Sequence, residues 1–326
     1  MGLSRRKALE LAGGAALLPF GRPAFADTYP SRVVRLFVGF PPGGGADLAT
    51  RIVANGLSEI WRQQVIVENR PGAGARIALD TVAHAPVDGY QLLLAPGSPL
   101  VQALLFSTLT FDPATDFAPV SLVGTYPNII VVPNASPFHT LGDLIAHAKA
   151  HPGAMSWASP GIGSVPHLAG KLFRYRAGIE ITHVPYRGAN QGLMSDFLAG
   201  RLDLVFNTTG SLLEQVRSKQ VSGLAVTSAK RFPDLPDLPT VSEAGVAGYD
   251  VSSWYAIYAP AKAPADVIAK INADMTTILR DPSIKEKFKL LGVLSQPSSP
   301  RELTAMNVAD AALWEPIVKE ANIKVE

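Results

Sequence analysis

The chain has 326 residues, of which 47% are hydrophobic and 17% charged, with no cysteine and a formal net charge of +2. This is the composition of an ordered globular protein, and the missing cysteine excludes disulfides, thiolate metal sites and cysteine nucleophiles. Arg5, Arg6, Lys7 and Arg22 against Glu10 give residues 1–26 a net +3, leaving −1 for the remainder, so no basic excess draws nucleic acid or anionic lipid.

The first 26 residues read as an export signal. Ser4-Arg5-Arg6-Lys7-Ala8-Leu9 resembles a twin-arginine motif, a weakly apolar run from Ala8 to Phe20 follows, and Ala24-Phe25-Ala26 forms an A-x-A cleavage site before Asp27. The alternative, a membrane anchor, is disfavoured because a spanning helix needs about 20 apolar residues. A mature periplasmic chain starting near Asp27 is expected.

From there strands alternate with helices. Strand-like runs occur at Val33–Val38, Val65–Val67, Gln91–Ala95, Ile129–Val132, Met155–Ala158, Ile181–Val184, Leu202–Phe206 and Gly223–Thr227. Val33–Val38 runs into Gly39-Phe40-Pro41-Pro42-Gly43-Gly44-Gly45-Ala46-Asp47. Behind that turn, Ala49, Ile52, Val53, Gly56, Leu57 and Ile60 repeat with the period of one buried helical face. A glycine turn between strand and helix presents bare N–H groups at the positive end of a helix dipole, which suits an anion. A second such turn, Ser159-Pro160-Gly161-Ile162-Gly163-Ser164, leads into a helix bearing His167, with Ser164 placed to cap it.

Repeated βα units predict an α/β fold with parallel or mixed sheets flanked by helices and ligands at strand C-termini. Turn-rich stretches near Gly124–Asn128 and Gly245–Ser253 predict a central insertion. Lobe one would hold residues 27–125 plus 252–326, lobe two residues 126–251, with two crossings forming a hinge. Beyond Pro264 the chain reads as helices only. Asp281-Pro282 starts one helix, Gly292 stops it, and Ser299-Pro300-Arg301-Glu302 is a capping box.

Neither glycine turn is a nucleotide loop. The first lacks the Lys-Ser/Thr of a phosphate loop, and Asp47 would repel phosphate if it faced inward. Such loops also serve plain helix–sheet packing. His167 lies close in sequence to Ser159 and Ser164, which leaves an exported hydrolase as a rival, but no G-x-S-x-G elbow surrounds either serine. The six histidines include no H-E-x-x-H pattern, and Asp234 and Asp237 form no calcium ladder. No metal or cofactor is called for.

An ordered series of motifs carries a family resemblance. It runs from the export leader through Pro42-Gly43-Gly44-Gly45-Ala46-Asp47, Val67-Glu68-Asn69-Arg70-Pro71-Gly72-Ala73-Gly74 and Asp88-Gly89-Tyr90 to the Ser159–His167 turn. His183-Val184-Pro185-Tyr186-Arg187-Gly188, Leu238-Pro239-Thr240-Val241-Ser242-Glu243-Ala244-Gly245 and Trp254-Tyr255 complete it. Across the mature chain this resembles the Bug, or TctC-type, solute receptors of tripartite tricarboxylate transporters. The resemblance implies a two-lobed, type II-like periplasmic binding protein that closes on a small carboxylated molecule. It also implies delivery of that ligand to membrane transporter subunits, with docking on a sensor protein as the alternative. The receptor is expected to act as a monomer.

In such receptors the carboxylate is held by backbone groups of two loops and by ordered water. Here the loops would supply Phe40, Gly43, Gly44, Gly45, Ala46 and Asp47 from one side and Ser159, Gly161, Gly163, Ser164 and His167 from the other. Ser98, Tyr186, Gly188 and Asn207 would add pocket walls. Two positions depart from the family pattern: Ala75-Arg76 replaces Gly-Asn, and Asn207 replaces an aspartate. If both side chains face the cleft, the pocket has gained a cation and lost an anion. That disfavours an amino acid ligand and favours a dicarboxylate or another anion. A solvated arginine at a helix start is the plain alternative for Arg76.

Overall fold

The computed structural model describes residues 29–186, 190–320 and 323. The expected signal peptide and its cleavage site therefore lie outside the described residues, as does Gly188. Contacts gather the described residues from Arg32 onward into one compact unit. Among the described residues, no helix is long and apolar enough to cross a membrane.

The unit opens with β1 (Val34–Val38), α1 (Gly45–Trp61), β2 (Val65–Asn69), α2 (Arg76–Ala83), β3 (Gln91–Pro96) and α3 (Leu100–Leu105). A long β4 (Phe117–Val132) leads to α4 (Leu141–Ala150), β5 (Met155–Ser159), α5 (Val165–Ala177), β6 (Ile181–Pro185) and α6 (Asn190–Leu198). After β7 (Leu204–Thr208), α7 (Thr209–Arg217) and β8 (Ser222–Val226), the chain returns through β9 (Ser252–Pro260). It closes with α8 (Ala265–Arg280), α9 (Pro282–Leu290), β10 (Leu294–Ser295) and α10 (Pro300–Glu320).

The strands run in the order β2-β1-β3-β9-β4-β7-β5-β6, with β8 and β10 pairing on β4. β1 is parallel to β2 and β3, and β5 is parallel to β6 and β7, as βα units dictate. β9 and β4 are antiparallel to their neighbours. β4 belongs to both halves: Phe117–Pro127 pairs with β9, and Asn128–Val132 with β7 and β8. Its end alternates cleanly. Ile130 and Val132 enter one buried cluster with Trp157, Phe173 and Phe206, while Ile129 and Val131 enter another with Phe197, Leu212 and Phe232. That half of the sheet is buried on both faces. α10 ties the two halves together, because Leu303 packs with Phe37, Leu93 and Tyr258 while Trp314, Ile317 and Val318 pack with the Trp157 cluster.

Two expectations are corrected here. Gly124–Asn128 is not a turn but the middle of β4, with Thr125, Tyr126 and Pro127 in register with Trp254, Ser253 and Ser252. Its turn-like composition has packing reasons. A Cβ on Gly124 would fall 2.5 Å from the Leu294 carbonyl O, and buried Asn128 donates through Nδ2 to Ser253 Oγ at 3.0 Å. The stretch after Pro264 is also not helical throughout, since β10 pairs with Gly124 and Thr125.

The local caps follow the sequence. Ser164 Oγ accepts from the His167 amide, and Asp281 accepts from Ser283 and Ile284 ahead of the N-terminal proline of α9. Ser299 and Glu302 close a reciprocal capping box, at 3.2 and 2.8 Å.

Candidate functional site

The first glycine turn is braced from behind by Asp47, the acidic residue at its end. Asp47, the third residue of α1, is 1% exposed and accepts from the Gly43 amide at 2.9 Å. The same carboxylate takes Arg51 at 2.9 and 3.0 Å and Asn69 Nδ2 at 2.8 Å, and Asn69 Nδ2 also holds the Phe40 carbonyl at 2.9 Å. Burial pushes the Asp47 carboxyl up, but these hydrogen bonds and the Arg51 charge together hold it below the usual carboxylate range. Its negative charge is thus spent on the turn, on the side away from the cavity described next.

In front of the turn lies a small, partly open cavity. Phe40, Gly44, Gly45 and Ala46 form one wall, Pro160, Val165 and Pro166 another, and Asn207, Thr208 and Ser211 a third. Pro96, Tyr126 and Tyr255 complete it, so every described lining residue is uncharged. α1 begins here with Gly44 as N-cap and α7 with Thr208, neither making a side-chain cap hydrogen bond. Two positive helix ends with uncapped first turns therefore meet at one place, an arrangement that favours an anion. The helix ends touch: a Cβ on Gly45 would lie 2.8 Å from Thr208 Oγ1 and 3.2 Å from the Tyr255 hydroxyl.

Hydroxyls supply the remaining polarity. Gly45 N donates to Ser211 Oγ at 3.4 Å, and Thr208 Oγ1 bonds Ser211 Oγ at 3.1 Å. Tyr126 and Tyr255 stack with ring centroids 4.3 Å apart. Burial raises both phenols far above their ordinary range, so both remain neutral donors.

The residues singled out from the sequence divide into three groups. Phe40, Gly44, Gly45, Ala46 and Asn207 line this cavity. Arg76, Gly161 and Tyr186 line a larger adjoining cavity, whose wall shares Phe40 and Pro160 with the first. The others stand behind the walls. Ser98 donates through its amide to Asp310 Oδ2 at 3.1 Å and through Oγ to the Asn307 carbonyl at 3.2 Å, so it faces α10. Gly43 braces Asp47, and Gly163 donates to His167 Nδ1 at 3.2 Å. Ser164 Oγ donates back to the Gly161 carbonyl at 2.7 Å.

Ser159 is wholly buried against His183 Nε2, at 2.8 Å. His167 and His183 sit beside Trp157 with their rings 4.7 Å apart. Burial, helped by His183 and Lys171, drops His167 to about 3; burial, helped by Lys171, drops His183 to about 4. Both imidazoles are neutral and act as packing and loop-bracing groups. Among the described residues, no cluster of histidines and carboxylates could hold a metal ion.

Tyr126, Thr208, Ser211 and Tyr255 were not singled out as site residues. Thr208 ends β7 and Ser211 follows it, at the strand C-terminus where the general rule for open α/β sheets points. Tyr126 was hidden inside the stretch read as a turn.

Comparison with known proteins agrees with this architecture. Residues 49–323 match the family described as the tripartite tricarboxylate transporter family receptor. A UPF0065 protein from the tcbD-tcbE intergenic region of Pseudomonas sp. (strain P51) is 35% identical, over 98% of this chain and 95% of its own length. The structure of R. palustris Rpa4515 with adipate is 33% identical, with a TM-score of 0.87 over 91% of this chain and all of that one. The periplasmic binding protein BugD is also 33% identical, with a TM-score of 0.86 over the same shares. Receptor architecture, an uncharged cavity at facing helix ends and matches along nearly the whole length agree: the chain belongs to the TctC/Bug family of tripartite tricarboxylate transporter receptors, periplasmic solute-binding proteins rather than enzymes.

Proposed function

We infer that this receptor closes on a small carboxylated organic anion outside the cytoplasmic membrane and delivers it to the membrane subunits of a tripartite tricarboxylate-type transporter. The observation that carries the reading is the meeting of two uncapped helix N-termini, at Gly45 and Thr209, in a cavity without a charged side chain, while Asp47 is turned away. A carboxylate there would take hydrogen bonds from backbone amides and from neutral hydroxyls. Three or four charge-assisted bonds, each worth about 1.5–3 kcal/mol net, reach the roughly −8 kcal/mol that micromolar affinity requires. The similar structure that holds adipate supports the ligand class.

On this reading the half of the sheet built on β1, β2 and β3 and the half built on β5, β6 and β7 are the two lobes. β4 and β9 are the strands about which they close, and export depends on the leader. Thermal-shift screening of the mature chain against small carboxylates, amino acids and sugars tests the assignment, together with small-angle scattering on the best stabiliser. Stabilisation by carboxylates with a smaller radius of gyration supports it. A preference for neutral sugars or free amino acids would refute it.

A further inference from the structure

The adjoining cavity has one charged residue in its described lining, and that residue is Arg76. Its other walls are glycine-rich backbone (Gly72, Gly74, Gly161), Phe106 and the ring of Tyr186. The Tyr186 hydroxyl is already committed, donating to Asp196 Oδ2 at 2.6 Å. The Arg76 guanidinium stands 5.0 Å over the Phe106 ring and makes one long hydrogen bond, 3.4 Å, to the Thr108 carbonyl. Among the described residues no carboxylate pairs with it, so most of its five N–H donors are available to a ligand.

Helix stability does not explain the residue. Arg76 is the first residue of α2, where the helix dipole disfavours a cation. The described lining of the pocket carries no counter-charge. Phe40 and Pro160, common to both cavities, set this cation next to the first anion site along a continuous wall.

We propose that Arg76 is the specificity residue of a second anion subsite, so that the ligand is an elongated dicarboxylate. Its first carboxylate sits at the helix ends by Gly45 and Thr208, and its second passes Phe40 and Pro160 to the guanidinium. This rests on the carboxylate-receptor reading above and deepens it. A planar fork suits a carboxylate bidentately, so lysine should replace arginine only in part.

Isothermal titration of the mature chain with straight-chain mono- and dicarboxylates matched carbon for carbon, adipate and hexanoate among them, tests the proposal. For wild type, the best dicarboxylate should bind at least about tenfold more tightly than its matched monocarboxylate, a gap of about 1.4 kcal/mol. Arg76→Ala should shrink that ratio to about twofold while leaving monocarboxylate affinity in place, and Arg76→Lys should fall between. A merely structural role for Arg76 would weaken both acids together and keep the ratio. Equal affinities for matched acids in wild type, or an unchanged ratio in Arg76→Ala, overturn the Arg76 proposal and leave the carboxylate receptor standing. No binding of any carboxylate overturns both.

Discussion

A Cβ placed on Gly210 would stand 3.0 Å from the Cα of Gly45, so the first turns of α7 and α1 meet backbone to backbone. One helix follows β1 and the other follows β7, in different halves of the strand order. Their contact is what brings two sets of uncapped amides to one point. Glycine is needed here for close approach, and Gly45 is a helical residue that lacks a positive φ.

Gly45→Ala should therefore lower affinity for the best carboxylate by at least about tenfold, because the methyl group meets Thr208 Oγ1 at 2.8 Å and must push the helix ends apart. The sequence treats Gly44 and Gly45 alike, but a Cβ on Gly44 meets only the Pro41 carbonyl, at 3.8 Å. Gly44→Ala should leave the unliganded melting temperature unchanged. Melting curves with and without ligand for both variants check this, and equal effects of the two on binding would count against the close-approach argument.

Asp47→Ala should destabilise the protein by about 1–3 kcal/mol, since it strands the Gly43 amide and removes the partner of Arg51 and Asn69. The pH dependence has a definite sign. A carboxyl held below its ordinary value of 3.8 contributes stability above that value and loses it as pH falls through the lower, folded one. Urea denaturation of wild type and Asp47→Asn should differ most at about pH 7, with the gap narrowing as pH falls below 3.8. A gap that persists in acid would mean that charge is not what Asp47 contributes.

The buried histidines bear on a higher pH range. His167 titrates at about 3 and His183 at about 4 in the folded chain, against an ordinary 6.5. Below 6.5 the unfolded chain binds more protons, so stability is fully present above that pH and declines as pH falls towards 4 and then 3. Between 6.5 and about 5 the decline should be on the order of 2 kcal/mol per histidine. His183→Gln should flatten this slope, whatever it does to absolute stability. Parallel pH profiles for variant and wild type would show that His183 is not among the linked groups.

Local signals were legible in the sequence and long-range ones were not. Ser164, Asp281 and the Ser299–Glu302 pair act on backbone groups within three residues of themselves, so pattern alone places them. The identity of β4 depends on partners far along the chain: Gly124 yields to the Leu294 carbonyl, and Asn128 is satisfied by Ser253. Composition there reads as a turn. The same limit divided the site residues. The glycine turn was readable, yet the direction of Asp47 is set by Asn69 and Arg51, and Ser98 is drawn to Asp310 and Asn307. The neighbours that do face the cavity, Thr208 and Ser211, come from a helix start without any glycine-turn signature before it.

The most direct measurement is calorimetric titration of the refolded, ligand-free mature chain with a carboxylate panel, run on wild type and Gly45→Ala. The account predicts one-to-one binding of at least one carboxylate at about micromolar Kd or tighter, weakened at least about tenfold by the added methyl group. Failure of every carboxylate to bind, or equal affinity in wild type and Gly45→Ala, would contradict it.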